Sequence, residues 1–377
     1  FFFGAPHKMA PPFRNCLDLE VDTKSGEAPL HQSLWAVCSA IHPDWGSITR
    51  EALEVKMVSG GITNILYKVT ADGAPPLLVR VYGDKTEMII DRKKETHLLK
   101  QLSDSEFSVP YHGSFANGRI EGWTTLRSLN PEEMSIFDGP VDFAGLIAGQ
   151  MAAMHALTPD EPGNPDREPQ LWPVTQGWAE TAATLRFDDS SARAALYARV
   201  DIPHMIEELH WLMRVLPIPA AEESAPIAAA QKFAFASVFC HNDVLSGNVM
   251  VDEVTGQCQL IDFEYGSYNF RAFDIANHFC EYSGFDGDWG KWHPTNAQML
   301  RFLRAYVRQS PEGAAVLEGL ADEAAREMFM QELLKWTALF CLASHLWWGF
   351  WCIIQARYSP IDFDFLDYGR IRFVGYF

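Results

Sequence analysis

The stretch VFCHNDVLSGNVMVDEVTGQCQLIDFEY, residues 238–265, constrains the fold more than any other part of the chain. Its apolar runs have the length and β-branched content of short buried strands, and the TG between two of them is turn chemistry. Set among those runs are Asp243, Asn248 and Asp262. A carboxylate beside a buried strand is costly unless it is paired or holds a cation. Single Asp and Asn residues in loops more often cap turns. Three at this spacing, between two apolar strands, point instead to a site built at a hairpin.

The bulk numbers exclude several classes. With 377 residues and 48% apolar content, the chain can build a sizeable core in two domains or one large bilobal one. Its net charge of −19 repels phosphate backbones and anionic lipid, so no nucleic acid partner is expected. Seven cysteines, none in C-x-x-C spacing, fit reduced and mostly buried thiols in a cytoplasmic protein. The first ten residues, FFFGAPHKMA, are apolar for too short a run to read as a signal peptide. The run ALFCLASHLWWGFWCII, 338–354, lacks Asp, Glu, Lys and Arg and has nearly the length of a membrane span. Its tryptophans sit mid-run rather than at the ends and it has no companion span, so it reads as a buried helix without stable membrane insertion.

Periodicity divides the chain at about residue 125. Before it, 28–52 has helical spacing, 55–83 reads as strand, turn, strand, loop, strand, and 91–102 as a helix with Asp91 as its cap. Two short strands around ANG follow. Beyond it, 141–157 is helical, 158–178 is rich in Pro and Trp and reads as an irregular surface stretch, and further helix follows. Residues 217–230 read as a linker, and helices dominate from the hairpin to about 357. Strands and helices so segregated suggest an α+β fold with two lobes, 1–125 and 126–377.

The spacing H-N-D-x-x-x-x-N, followed after a hairpin by Asp262, suits phosphoryl transfer. That chemistry asks the protein for metal ions on the triphosphate and a group that orients the attacking hydroxyl. Mg²⁺ takes oxygen ligands, which Asn248 and Asp262 supply from either end of the hairpin. Asp243 lies five residues before Asn248 and can accept the hydroxyl proton. Asp274 reads as structural, anchoring the loop through backbone amides, and His241 likewise.

The run CHNDVLSGNVMV…IDFEYGSYNFRAFDIANHFCEY, with SGGITN at 59–64, LLVRVYGDKTEMIIDR at 77–92 and HLWWGFWCIIQARYSPIDFDFLDYGRIRF at 345–373, resembles the choline/ethanolamine kinase family. The resemblance covers most of the chain from about residue 55. It implies the bilobal protein-kinase-like fold: an N-terminal lobe with an antiparallel sheet and one helix, and a larger, mostly helical C-terminal lobe. It implies ATP and Mg²⁺ as cofactors. Gly60, Gly61, Thr63 and Asn64 would then lie over the ATP phosphates, where a Gly pair lets backbone approach oxygen. Arg80 would contact phosphate and meet Glu95 on the following helix, as the kinase lysine meets its helix glutamate; the alternative for Arg80, the less favoured one given its strand context, is half of a surface ion pair.

By spacing alone, Trp348 and Trp351 share a helix face and read as core. The resemblance places them with Tyr368 in an ammonium pocket, with Tyr265 and the carboxylates Glu264 and Glu281 as further partners. The substrate it implies is ethanolamine, or choline, with SGGITN and the segment 80–92 nearer the ethanolamine branch. It is compatible with a homodimer. A phosphotransferase acting on an aminoglycoside would want a less aromatic pocket, and a non-catalytic scaffold would be expected to have lost one of the three polar residues.

Overall fold

The computed structural model describes residues 14–58, 64–83, 91–187, 191–216, 224–359 and 361–377. The expected phosphate-loop residues Gly60, Gly61 and Thr63 lie outside them. The chain divides into two compact units: Phe1–Asp91 with Leu99–Thr125, and Arg92–Leu98 with Leu126–Phe377.

The first unit is an antiparallel sheet backed by a helix. Strands β1 (Glu54–Val58), β2 (Asn64–Ala71), β3 (Ala74–Tyr82), β4 (Tyr111–Phe115) and β5 (Gly118–Gly122) run in the order β1-β2-β3-β5-β4. Alternation along β3 sends Leu77, Val79 and Val81 into the core. There they join Leu34, Val37, Cys38 and Ile41 of α1 (Glu27–Ile41). Helical spacing predicts that first helix as far as 52, but it stops at Ile41: His42 is extended because Pro43 follows, and two 3₁₀ turns take over. Asn64 opens β2, buried, opposite Tyr82. Helix α2 (Arg92–Asp104) begins one residue after Asp91 and divides between the units.

The second unit is mostly helical. It holds a three-stranded sheet, β6 (Arg127–Ser128), β8 (Val249–Asp252) and β9 (Gln257–Leu260), and a pair, β7 (Ser237–Cys240) with β10 (Ser267–Phe270). Its helices are α3 (Phe143–His155), α4 (Leu171–Thr184), α5 (Ser191–Val200), α6 (Ile202–Val215), α7 (Ala225–Ala234), α8 (Arg271–Cys280), α9 (Trp289–Trp292), α10 (Asn296–Gln309), α11 (Pro311–Gly319), α12 (Glu323–Tyr358) and α13 (Phe365–Tyr376). Two loop expectations fail here. The stretch 158–178 contains the start of α4, because Pro173 falls in the first helical turn, where its missing N–H costs no bond. The expected linker 217–230 includes the start of α7; its residues 217–223 lie outside the described ones.

The uncharged run 338–354 lies within the 36-residue α12. The helix is long and apolar enough to cross a membrane, yet 83% of its most apolar window is buried in the chain. Helix α13 docks on it closely. A Cβ at Gly349 would stand 2.4 Å from the Phe373 ring, so only glycine admits this approach. All seven cysteines are free, and all but Cys16 are buried.

Candidate active site

The hairpin brings its two ends together. Val249 pairs with Leu260 and Val251 with Cys258, all four on the buried face. Asp252 closes the turn by accepting the Val254 amide at 2.8 Å, and Gly256 adopts φ +70°. At the open end the Ile261 amide donates to the Asn248 carbonyl at 3.0 Å. Asp262 therefore emerges beside Asn248, as the hairpin reading requires. It has φ +65°, a left-handed conformation that asparagine and aspartate tolerate better than other non-glycine residues.

A second left-handed residue, Asn242 at φ +63°, precedes Asp243. Its conformation is fixed from every side. The Asp274 carboxylate accepts the amides of His241 (3.2 Å) and Asn242 (2.7 Å). The Asn242 side chain donates to the Tyr265 carbonyl and the Ser267 hydroxyl, and accepts from Asn269. Its carbonyl accepts from Asn277 at 2.7 Å. Further on, His278 bonds the Val244 carbonyl at 2.8 Å, and His241 Nε2 donates to the Ile261 carbonyl at 2.9 Å. That last bond ties the loop to the residue before Asp262.

Asp274 is thus the anchor expected of it. His155 donates Nε2–H to it at 2.9 Å while facing the Tyr306 hydroxyl through Nδ1 at 2.6 Å. Burial opposes the Asp274 charge, but these donors hold its carboxyl below the usual range. The supporting set of Asn242, Asn269, Asn277, His155 and His278 escaped the sequence reading. A signal existed: α8 is buried throughout yet carries Asp274, Asn277 and His278 at helical spacing, which has no use in an apolar core.

Asp243 itself is held by Asn248, whose Nδ2 donates to its carbonyl (2.9 Å) and carboxylate (3.1 Å). The amide nitrogen is thereby engaged, leaving the amide oxygen as the donor Asn248 can offer a cation. Burial pushes the Asp243 carboxyl well up, reinforced by the charges of Glu281, Glu264 and Asp262.

Next to it, one carboxylate oxygen each from Glu95, Asp262 and Glu264 lie within 4.8 Å of one another. Arg92 Nη1 stands 2.8 Å from Glu95 and 3.7 Å from Glu264. Glu95 thus joins the Asp262 end of the hairpin and has Arg92 as one ion-pair partner. The ion pair formed by Arg80 Nε in the first unit is with Glu121, at 3.2 Å. Glu264, expected at the ammonium, stands in this oxygen cluster and also close enough to Tyr265 to raise its hydroxyl pKa.

Three aromatic rings converge beside these acids. Tyr265 meets Trp348 edge to face at 5.3 Å between centroids and Trp351 at 6.4 Å; the two tryptophans are 5.3 Å apart. Trp348 Nε1 donates to Asn277 at 2.7 Å, which ties this box to the Asp243 loop. Phe365 packs on Trp351, Phe363 on Phe365, and Tyr368 on Phe363. Glu281 accepts from the fully buried Arg372 at 2.8 Å; burial raises its pKa while Arg372 opposes the rise. Arg372, unexpected from sequence, also contacts the Tyr368 hydroxyl at 3.4 Å and the Ser344 hydroxyl at 2.8 Å.

Comparison with known proteins agrees with this geometry. Residues 55–377 match the family model described as choline/ethanolamine kinase. A probable ethanolamine kinase of Arabidopsis thaliana is 34% identical over 345 residues, covering 90% of this chain and 83% of that one. A probable choline kinase of the same plant is 28% identical over 375 residues, covering 95% and 97%. The solved structure of an ethanolamine kinase from Plasmodium vivax superposes with a TM-score of 0.73 at 26% identity, covering 93% of this chain and 89% of that one. The bilobal, protein-kinase-like α+β architecture is therefore shared with solved relatives. Matched from residue 55 to its last residue, the chain belongs to the choline/ethanolamine kinase family of ATP-dependent kinases.

Proposed function

We propose that the chain transfers the γ-phosphoryl group of ATP to the hydroxyl of ethanolamine, the entry step of phospholipid head-group synthesis, with choline as the less favoured acceptor. The observation that carries this reading is the aromatic box of Tyr265, Trp348 and Trp351 set against the cluster of buried and half-buried carboxylates around Asp243. Ring faces attract any ammonium. Carboxylates add acceptors for N–H groups, which ethanolamine has and choline lacks. The Arabidopsis thaliana and Dictyostelium discoideum relatives at 34% identity are named probable ethanolamine kinases, which supports the same preference.

Asp243 orients the substrate hydroxyl and accepts its proton as the oxygen attacks phosphorus. Burial and the neighbouring carboxylates raise its pKa, which makes it a stronger base than an ordinary aspartate. The Asp274 network holds the loop so that Asp243 need not reorganise. The donor set at the hairpin is all oxygen, which fits Mg²⁺: Asp262 and Asn248 would hold it, with Glu264 and Glu95 at hand. Bound there, the ion would neutralise charge on the triphosphate. Gly60, Gly61, Thr63, Asn64 and Arg80 are proposed for the nucleotide side, and Glu281 with Tyr368 for the rim of the ammonium site. A cytoplasmic enzyme, free of stable membrane insertion, is the corresponding setting.

The test is a coupled ADP-release assay with ethanolamine and choline in parallel and Asp243→Asn as control. Turnover stimulated by ethanolamine more than by choline, and abolished in the control, is expected. No stimulation by either alcohol would end the reading.

A further inference from the structure

A second group of ligating side chains stands apart from the oxygen cluster and has no part in the phosphoryl transfer just described. The thiols of Cys280 and Cys341 and one ring nitrogen of His293 lie within 4.8 Å of one another. A second imidazole reaches them: His345 Nε2 is 3.9 Å from Cys280 Sγ. Cys341 and His345, four apart on α12, share one helix face. Cys280 is the last residue of α8, and His293 follows the single turn of α9.

The surroundings prepare these atoms. His293 Nδ1 faces the Pro294 carbonyl at 3.2 Å, which can only accept, so Nδ1 carries a proton and Nε2 is the nitrogen the neutral ring can offer a metal. Its ring also bonds the Cys280 thiol. His345 is nearly buried, packs edge to face on Trp289 at 4.6 Å, and its Nδ1 has no hydrogen-bond partner. The hydrogen bond from the Cys341 thiol and the neighbouring imidazoles pull the Cys280 thiol pKa well down, while Cys341 is pushed up.

Plain thiol packing is the competing account. Cys341 Sγ can donate to the carbonyls of Thr337 (3.7 Å) and Ala276 (3.8 Å). Those contacts satisfy one proton of Cys341. They give no reason for two imidazoles to converge on Cys280.

We propose that Cys280, His293, Cys341 and His345 form a site for a thiophilic divalent cation, zinc in the first place. Two sulfurs and two imidazole nitrogens are a zinc donor set, with bonds of about 2.3 and 2.0–2.1 Å. On such a tetrahedron the ligand atoms stand about 3.3–3.8 Å apart, so the Cys280, His293 and Cys341 atoms would close by at most about 1–1.5 Å, with His345, now 3.9 Å from Cys280, turning in as the fourth ligand. Half-buried His293 offers the way in. The ion would pin the end of α8 to α12 and thereby fix Glu281, the next residue, against Arg372.

The experiment uses the full chain, purified without a metal-affinity step and held in excess magnesium so that the oxygen cluster is filled. Elemental analysis is expected to find about one zinc per chain. Cys280→Ser with Cys341→Ser should weaken zinc by more than about 100-fold, the upper end of what loss of a mere supporting contact costs; Cys16→Ser should change nothing. The wild-type chain, stripped and titrated with Co²⁺, needs no variant to fold. It should develop thiolate-to-cobalt charge-transfer bands and the intense visible absorption of a tetrahedral ion. Weak octahedral absorption alone, or zinc retained after both thiols are replaced, overturns the proposal. Neither result depends on turnover with an amino alcohol.

Discussion

Two carboxylates, the buried Glu121 in one unit and the half-buried Asp243 in the other, have been pushed in opposite directions. Glu121 on β5 lies between Arg80 (3.2 Å) and Arg119. Burial works against its charge, but the two guanidiniums overcome it and bring the pKa to about 2. Asp243 has no such counter-charge in contact. Burial and three neighbouring carboxylates raise it. The first cluster is balanced by the chain itself. In the second, within its own unit and among the described ion pairs, Arg92 and Arg372 stand against a larger group of carboxylates, Asp243, Asp262, Glu264, Glu281 and Glu95. A fold keeps an imbalance of that kind where ligands bring the missing charge, and a metal ion with an ammonium substrate would do so.

The sharpest way to break this contrast is Asp243→Asn. Loss of the base should lower kcat by about 10²–10⁴-fold. Removing one of several repelling acids should at the same time stabilise the ligand-free protein by about 0.5–2 kcal/mol. Asn keeps the oxygen that accepts from Asn248, so the loop retains its bond. Turnover measured beside thermal melting checks both halves; a lower melting temperature would show that the imbalance is not real. Glu121→Gln is the mirror experiment. It removes the charge that Arg80 and Arg119 share and should destabilise by about 3–5 kcal/mol, read from denaturant midpoints.

The pH dependences should also part. Glu121 has its folded pKa below the ordinary 4.5, so its contribution to stability is present above that value and is lost as pH falls towards about 2. Asp243 has its folded pKa above the ordinary 3.8, so its contribution is present below that value and is lost as pH rises through the folded pKa. Cations bound nearby pull the Asp243 pKa back down. The acid limb of kcat/KM, which reports the free enzyme, should therefore lie at higher pH than that of kcat. Coincident limbs would mean that the ligands do not supply the missing charge.

The contrast was only half legible in the sequence. Asp243, Asn248 and Asp262 could be read because a hairpin turn and two apolar runs fix which residues meet at its open end. The buried helix 338–354 could be read because a run without charge has few other places to go. Arg372 could not, since nothing in DYGRIRF says that a helix-borne arginine turns inward to Glu281 across the chain. Nor could the pairing of Glu95 with Arg92, three residues before it on the same helix. Such partners depend on how helices rotate as they pack. The Pro-rich stretch before α4 misled for a simpler reason: proline breaks a helix interior but is welcome in its first turn.

The smallest expected effect tests the cation side directly. Trp351→Leu keeps an apolar side chain on α12 but removes one ring face from the box with Tyr265 and Trp348. A cation–π contact contributes about 0.5–2 kcal/mol depending on desolvation, so KM for the amino alcohol should rise about 2–30-fold with kcat nearly unchanged. Choline, whose ammonium has no N–H to give a carboxylate, depends more on ring faces and should suffer more than ethanolamine. An equal loss for both would mean that the carboxylates do not discriminate between them. A fall in kcat without a change in KM would show that Trp351 acts through the Asn277-linked loop instead, since Trp348 bonds that asparagine and packs directly on Trp351.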